Sequence, residues 1–317
     1  MAGPAAADGV INGNPAFIQF YVNNVENLSR VDDVCPGDWQ DLVYYMKRYQ
    51  LSPDIYLVQQ ISGQTQINAL AKRMTDELKG TYVGIAAVAN PTVTNNGCDK
   101  PQQTTGIIYR PGRFEVVNQG RWRANRLDGS CINETKDRSA HLGIRFRDTI
   151  ANKYVSVSTV HFPVKSTGGN ACIDHNITES GAETAELGAT NLSVWGGDLN
   201  ISDRDGSTFR SWYNKVNGDR GGALGWRDAI YHACNKANPA TVAACAAANG
   251  TLGNSANRYD YLFSKLPGGA KPRIENAKTI SFDEGDAADN YYTNSDREDR
   301  NYSDHRAVQA RIFYTAG

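Results

Sequence analysis

An excess of charge of either sign is missing from this chain, whose 317 residues carry 33 Lys and Arg against 34 Asp and Glu. Bulk positive charge is therefore excluded as the means of holding nucleic acid or an anionic membrane, and any polyanion site has to be local. No apolar run approaches the roughly 18 residues that a membrane-spanning helix needs, and the opening residues carry neither a basic nor an apolar signal region. None of the six cysteines lies in a Cys-x-x-Cys pair, which sets zinc aside. Internal periods, low-complexity tracts and Pro- or Ser-rich linkers are also lacking, so solenoids and propellers drop out. The chain reads as one domain over 1–317 with long insertions.

What is present is an ordinary globular composition, 40% hydrophobic with 30 glycines, enough for a large core. Runs rich in β-branched and aromatic residues predict strands over 17–25, 55–58, 81–88, 105–109, 141–146, 154–161, 192–196, 259–263 and 307–314. Helical spacing predicts one helix from Trp39, Leu42, Val43 and Met46, and a second from Ile67, Leu70, Ala71, Met74 and Leu78. A weaker pattern predicts a third over 227–234. The stretches 90–100, 164–180, 247–256 and 283–300 read as loops. Strands and helices in mixed order, with hairpin-like neighbours, predict an α/β fold: a four-layer sandwich of two packed, mostly antiparallel sheets flanked by helices.

The six cysteines, Cys35, Cys98, Cys131, Cys172, Cys234 and Cys245, are even in number and several lie in polar stretches. This favours three disulfides and a secreted, oxidising setting. Cys234 and Cys245, with ten residues between them across a helix and a turn, are expected to pair.

Polar residues of chemical interest stand at the ends of the apolar strands, where a rigid scaffold can present them to a shared cleft. They are Asn24, Gln59-Gln60, His161, Asp198-Leu199-Asn200, and Ser303-Asp304-His305. Each alone is ordinary turn chemistry. Taken in order, they resemble the motif set of the endonuclease/exonuclease/phosphatase superfamily, the DNase I-like fold. Asn24 stands at the family's strand-end Asn, and Asp54-Ile55-Tyr56-Leu57-Val58-Gln59-Gln60 resembles its "D-I-x-x-L-Q-E" strand. Ile108 to Phe114 is similar to its "x-Y-R-P-x-R-F" hairpin and Val160-His161-Phe162 to its "x-H-x" strand. Gly197-Asp198-Leu199-Asn200 resembles "G-D-x-N", Arg258 to Phe263 "R-x-D-Y-x-F", and Ser303-Asp304-His305 the "S-D-H" close.

The resemblance implies hydrolysis of a phosphate ester. His161, Asp198, Asn200, Asp260 and His305 take the catalytic roles: His305 is paired with Asp260, His161 lies opposite as a donor, Asp198 orients the attacking water or holds a second ion, and Asn200 donates to the phosphate. A hard divalent cation, Mg²⁺ or Mn²⁺ with Ca²⁺ also suited, would be held by Asn24, Gln60 and Asp304. Position 60 departs from the pattern, because the family carries a metal-binding Glu there and an amide offers an oxygen without the charge. Three explanations compete: a substitution made to inactivate the enzyme, a lineage that binds its ion with Gln60 and Asp304, and a degenerate member that binds without cutting.

Fold membership leaves the substrate open. The inositol-phosphatase versions of the motifs are missing, as is the exposed apolar hairpin of a sphingomyelinase, and abasic-site enzymes of the cell interior suit six cysteines poorly. Arg110, Arg113, Arg121, Arg123 and Arg126, interleaved with Tyr109, Phe114 and Trp122, form a local basic stretch suited to phosphates. The alternative is a hairpin whose arginines pair with Asp128, Glu134 and Asp137. Tyr109, Arg110 and Arg113 are the expected substrate-binding residues. The expectation is a secreted, monomeric nuclease acting on nucleic acid, DNA ahead of RNA, with little sequence preference. A phospholipid or small-phosphoester hydrolase, and a binding protein disabled at Gln60, are its alternatives.

Overall fold

A computed structural model of the protein describes residues 12–25, 42–43, 46–47, 52–92, 103–125, 131, 134–164, 171–252, 256–280, 303 and 305–317. Strands buried along most of their length build two six-stranded sheets. The first has the order β13 (Pro272–Ile280), β14 (Ala307–Ala316), β1 (Phe17–Asn24), β2 (Ile55–Ile61), β4 (Thr104–Tyr109) and β3 (Val83–Ala86). The second has the order β11 (Arg227–Asp228), β12 (Asp260–Lys265), β8 (Leu192–Asp198), β7 (Lys153–His161), β6 (Ala140–Asp148) and β5 (Phe114–Arg123), and a separate two-stranded ribbon joins β9 (Arg204–Asp205) to β10 (Thr208–Phe209). Each sheet is antiparallel except for one central pair, β1 with β2 and β7 with β8.

Those central strands are buried on both faces, as parallel strands covered on both sides are. Ile18, Phe20, Val22 and Leu57 pack across the sandwich onto Leu142, Ile144, Val157, Val194 and Leu262. The opposite face of the first sheet, Tyr21, Tyr56 and Val58, is covered by Ile67, Leu70 and Met74 of α1 (Gln64–Glu77) and by Leu42, Val43 and Met46. The outer face of the second, Trp195, Tyr261 and Phe263, is covered by Ile177 of α2 (Ile173–Glu186) and by Trp212 and Tyr213 of α3 (Ser211–Val216). These are the four expected layers. The helix expected over 227–234 runs Ala229–Ala237 (α4), capped by Asp228 Oδ1, which accepts the Ile230 amide at 3.0 Å. A fifth helix, α5, spans Val242–Ala248.

The reading of 164–180 as a loop is corrected by α2. Its buried face is largely polar: beside Ile173 and Ile177, Asn176, Ser180 and Thr184 are all inside. Ser180 Oγ donates to the Asn176 carbonyl at 2.8 Å and Thr184 Oγ1 to the Ser180 carbonyl at 2.6 Å, so the helix satisfies its own hydroxyls and shows no apolar period. The stretch 247–256 likewise opens inside the last turn of α5. Strands β5 and β13 are sheet edges, with little one-sided burial to betray them in sequence. Cys234 pairs with Cys245 as expected, and Cys131 pairs with Cys172, with Cα separations of 5.5 and 5.4 Å. Cys35 and Cys98, the stretch 283–300 and Asp304 lie outside the described residues.

Candidate active site

Register alone brings the strand-end residues together. Asn24 stands beside Gln59, His161 beside Asp198, and Asp198 beside Asp260. Because the parallel pairs of both sheets end at the same edge of the sandwich, the two sheets meet there: Asn24 Nδ2 donates to Asp198 Oδ2 at 3.0 Å, and Gln59 Nε2 to Thr159 Oγ1 at 2.9 Å. At the end of β8, Gly197 has φ 152°, and a Cβ there would lie 1.8 Å from the Val160 carbonyl oxygen. Only glycine lets β8 approach β7 this closely. Gln60 and Asn200 hold left-handed backbones, φ 56° and 53°. Such conformations in side chains larger than glycine concentrate where function demands them.

The edge is hollowed into a cleft of about 190 Å³, lined by Gln60, Gln103, Arg138, His161, Asp198, Asn200 and His305 among others. His305 Nδ1 bonds Asp260 Oδ2 at 2.8 Å. Nε2 of His305 and Nε2 of His161 both face Asp198 Oδ2, at 3.8 and 3.5 Å. Asp198 Oδ1 accepts the Asn200 amide at 2.8 Å, and Asn200 Nδ2 donates to the Phe162 carbonyl at 2.7 Å, bracing the wall behind His161. Burial raises the Asp198 carboxyl, with Asp260 acting in the same direction and both imidazoles opposing. Burial lowers His161, helped by the charges of His305 and Arg138 and opposed by Asp198. A near-neutral imidazole beside a carboxylate of raised basicity suits proton transfer near neutral pH.

Gln60 Oε1 and Asp260 Oδ1 are buried without a hydrogen-bond partner, and Gln60 lines the cleft. An orphaned carbonyl oxygen fits a hard cation. Asp198, Asp260 and His305 also present ligand atoms within 4.8 Å of one another, a set able to hold a metal ion.

Three expected substrate-binding residues are not in the cleft. Tyr109 ends β4 opposite Ile55, the first residue of β2, whereas the cleft lies where β2 finishes. Arg110 is spent on the Pro53 and Lys79 carbonyls. Arg113 is 1% exposed and binds Asp148 at 2.7 Å and Asp54 at 3.2 Å. The basic stretch is thus dispersed: Arg121 donates to the Ala87 carbonyl and Arg123 pairs with Asp137 at 3.0 Å, as the pairing alternative held, while Arg126 lies outside the described residues. Arg113→Ala leaves buried Asp148 without its cation and Asp54 with Arg110 alone, at 3.7 Å, and is expected to cost about 3–5 kcal/mol in urea unfolding. Its folded fraction should keep its KM; a raised KM at unchanged stability would return Arg113 to the substrate.

Sequence reading missed Arg138, the cation on the cleft wall, and His141 beneath it. Arg138 sits in the short helix Asp137–Ser139 just before β6, and a basic residue immediately ahead of a strand at the site's edge was the available signal. His141 is buried against Trp122 and Phe162, with Nε2–H donating to the His161 carbonyl at 3.3 Å. Burial first, then the charges of His161 and Arg123, push its pKa down to about 3 against that hydrogen bond. An unfolded histidine titrates near 6.5. The stability this neutral ring confers is therefore complete above pH 6.5 and lost as the pH falls toward 3. His141→Phe, which preserves the ring contacts, is expected to flatten the fall of the denaturation midpoint below pH 6.5. An unchanged slope would place the acid sensitivity elsewhere.

No family model matches the sequence, and no curated protein matches it. Solved structures do match in fold. D. rerio TDP2 complexed with a single-strand DNA product is 16% identical, covering 93% of this chain and 98% of its own, with a TM-score of 0.58. The mannosyl-6-phosphatase of Bacteroides thetaiotaomicron is 17% identical over 93% of this chain and 99% of its own, at 0.58. The endonuclease/exonuclease/phosphatase of Bacteroides vulgatus is 14% identical over 93% and 98%, at 0.57. The chain has the endonuclease/exonuclease/phosphatase fold, a sandwich of two mixed six-stranded sheets flanked by helices. This is the architecture that the strand-end motifs imply.

Proposed function

We propose that the protein is a divalent-metal-dependent phosphoester hydrolase that cuts nucleic acid, DNA ahead of RNA, outside the cell. The observation that carries this reading is the convergence of His161 and the His305–Asp260 pair on one oxygen of Asp198. A phosphoryl group seated in the cleft meets imidazoles from two sides, His161 through an N–H and His305, whose Nδ1–H is given to Asp260, through an Nε2 that donates when the ring is protonated, with a carboxylate placed to take the proton of an attacking water. Asp260 fixes the tautomer and direction of His305, leaving its Nε2 for the phosphoryl oxygen or the leaving group. Asn24 steadies Asp198, Asn200 has a second amide proton for the phosphate, and Arg138 adds positive charge on the wall. The cation would be held by Gln60 Oε1 and Asp304, and when bound it supplies Lewis-acid polarisation of the phosphoryl oxygen.

The DNA bound to the structurally similar TDP2 supports the substrate class. The disulfides Cys131–Cys172 and Cys234–Cys245 support an oxidising setting. The cleft volume and the dispersal of the basic stretch favour one second reading, a hydrolase of small phosphoesters. Incubation with plasmid, RNA, sphingomyelin and sugar phosphates, each with Mg²⁺, Mn²⁺, Ca²⁺ or chelator, is expected to give metal-dependent cuts in plasmid. Turnover confined to sugar phosphates would establish the second reading instead.

A further inference from the structure

Between α5 and β12 the chain passes through Thr251, fully buried and in neither helix nor strand. Its Oγ1 accepts two backbone amides, Tyr259 at 2.8 Å and Asp260 at 3.0 Å. Its carbonyl accepts the Arg306 amide at 2.7 Å, and the next residue, Leu252, forms a β-bridge with His305. Its own amide donates to the Asn257 carbonyl at 2.9 Å, closing the turn on itself. One residue thus fastens the backbone that bears Asp260 to the backbone that bears His305. These residues are 45 positions apart in sequence and must meet for the 2.8 Å contact between carboxylate and imidazole. Thr251 is not among the residues lining the cleft, so it acts through the pair and not on substrate.

We propose that Thr251 is the positioning residue of the Asp260–His305 pair, its hydroxyl and carbonyl together setting the register in which the imidazole faces the phosphoester; this rests on the hydrolytic reading of the cleft. Ridding position 251 of the hydroxyl leaves the amides of Tyr259 and Asp260 without this acceptor, and Asp260, the first residue of β12, loses the restraint on the side away from β8. Misplacement by about an ångström costs on the order of 100-fold in rate.

The test compares Thr251→Val, close in shape but without the acceptor, with Thr251→Ser, which retains it. On the phosphoester that the wild type cleaves, Thr251→Val is expected to lower kcat by roughly 10- to 100-fold with KM nearly unchanged. Thr251→Ser is expected to keep both. In histidine-labelled protein, the low-field Nδ1 proton of His305 should move or broaden in Thr251→Val and stay in Thr251→Ser. Wild-type kcat and an unmoved resonance in Thr251→Val would overturn the proposal, and so would equal impairment of both variants, which would make the methyl group the essential part. If Thr251→Val fails to unfold cooperatively, Thr251→Cys, with a weak sulfur acceptor of similar size, is read in its place against the same outcomes. A wild type inert on every phosphoester sinks the hydrolytic reading alone, since the His305 resonance still reports whether Thr251 aligns the pair.

Discussion

Replacing His161, Asp198 or His305 by alanine is expected to lower kcat/KM on a phosphodiester by about 10²–10⁴-fold each, the range of a lost general acid, base or preorganised donor. The two imidazoles face a single oxygen of the carboxylate, Asp198 Oδ2, His161 at 3.5 Å and His305 at 3.8 Å, and Asn24 reaches the same oxygen at 3.0 Å. Groups that act as a unit lose their effect together, so a double variant of His161 and Asp198 should cost little more than either single one. Stability should move differently from activity. Burial raises the Asp198 carboxyl above its ordinary value, so its ionised form is disfavoured by folding. What Asp198 contributes to stability is present at low pH and lost as the pH rises through its folded value. At neutral pH Asp198→Ala is therefore expected to keep or raise the thermal midpoint while activity collapses. Losses under about tenfold for all three variants at saturating metal would mean that the cleft is not the reaction site.

Gln60→Glu carries the second large effect, in the opposite direction. Gln60 holds a left-handed backbone, φ 56°, at the end of β2, and its Oε1 is buried with no hydrogen-bond partner. A carboxylate in that place adds a full negative charge to an oxygen that fits a hard cation, and metal affinity should rise. For an enzyme disabled at this position, activity is expected to rise on the order of a hundredfold, several kcal/mol of transition-state stabilisation being restored. The metal concentration for half-maximal rate should fall in parallel, and calorimetric titration with Mn²⁺ gives the affinity independently of turnover. A lineage adapted to the amide should show little gain or a loss. Tighter metal binding without hydrolysis of any phosphodiester would leave the cleft as a binding site.

The central strands, the sandwich and the cleft's main residues were legible because each is written in a local pattern. Strands β1, β2 and β8 are largely apolar runs and β7 sets valines at alternate positions, and Asn24, Gln60, His161 and Asp198 are polar residues at or next to the ends of those strands. Helix α1 announced itself by a one-sided apolar stripe. Helix α2 did not, because its buried face bonds hydroxyls to its own carbonyls. Edge strands β5 and β13 are buried on one side too weakly to leave a period.

By itself, then, the sequence determined the central strands, the polar residues that close them and, through the family resemblance, that a carboxylate is missing at Gln60. Tertiary structure alone decided that Arg113 neutralises Asp54 and Asp148 in the interior, far from the cleft where the sequence motif suggested a use for it. It also decided that Cys131 meets Cys172, that Arg138 lines the cleft, and that Thr251 ties Asp260 to His305. The reason is physical: burial periodicity is a property of neighbouring residues, whereas the partner of a charge, a thiol or a hydroxyl is chosen by whichever distant segment folding brings within about 3 Å of it.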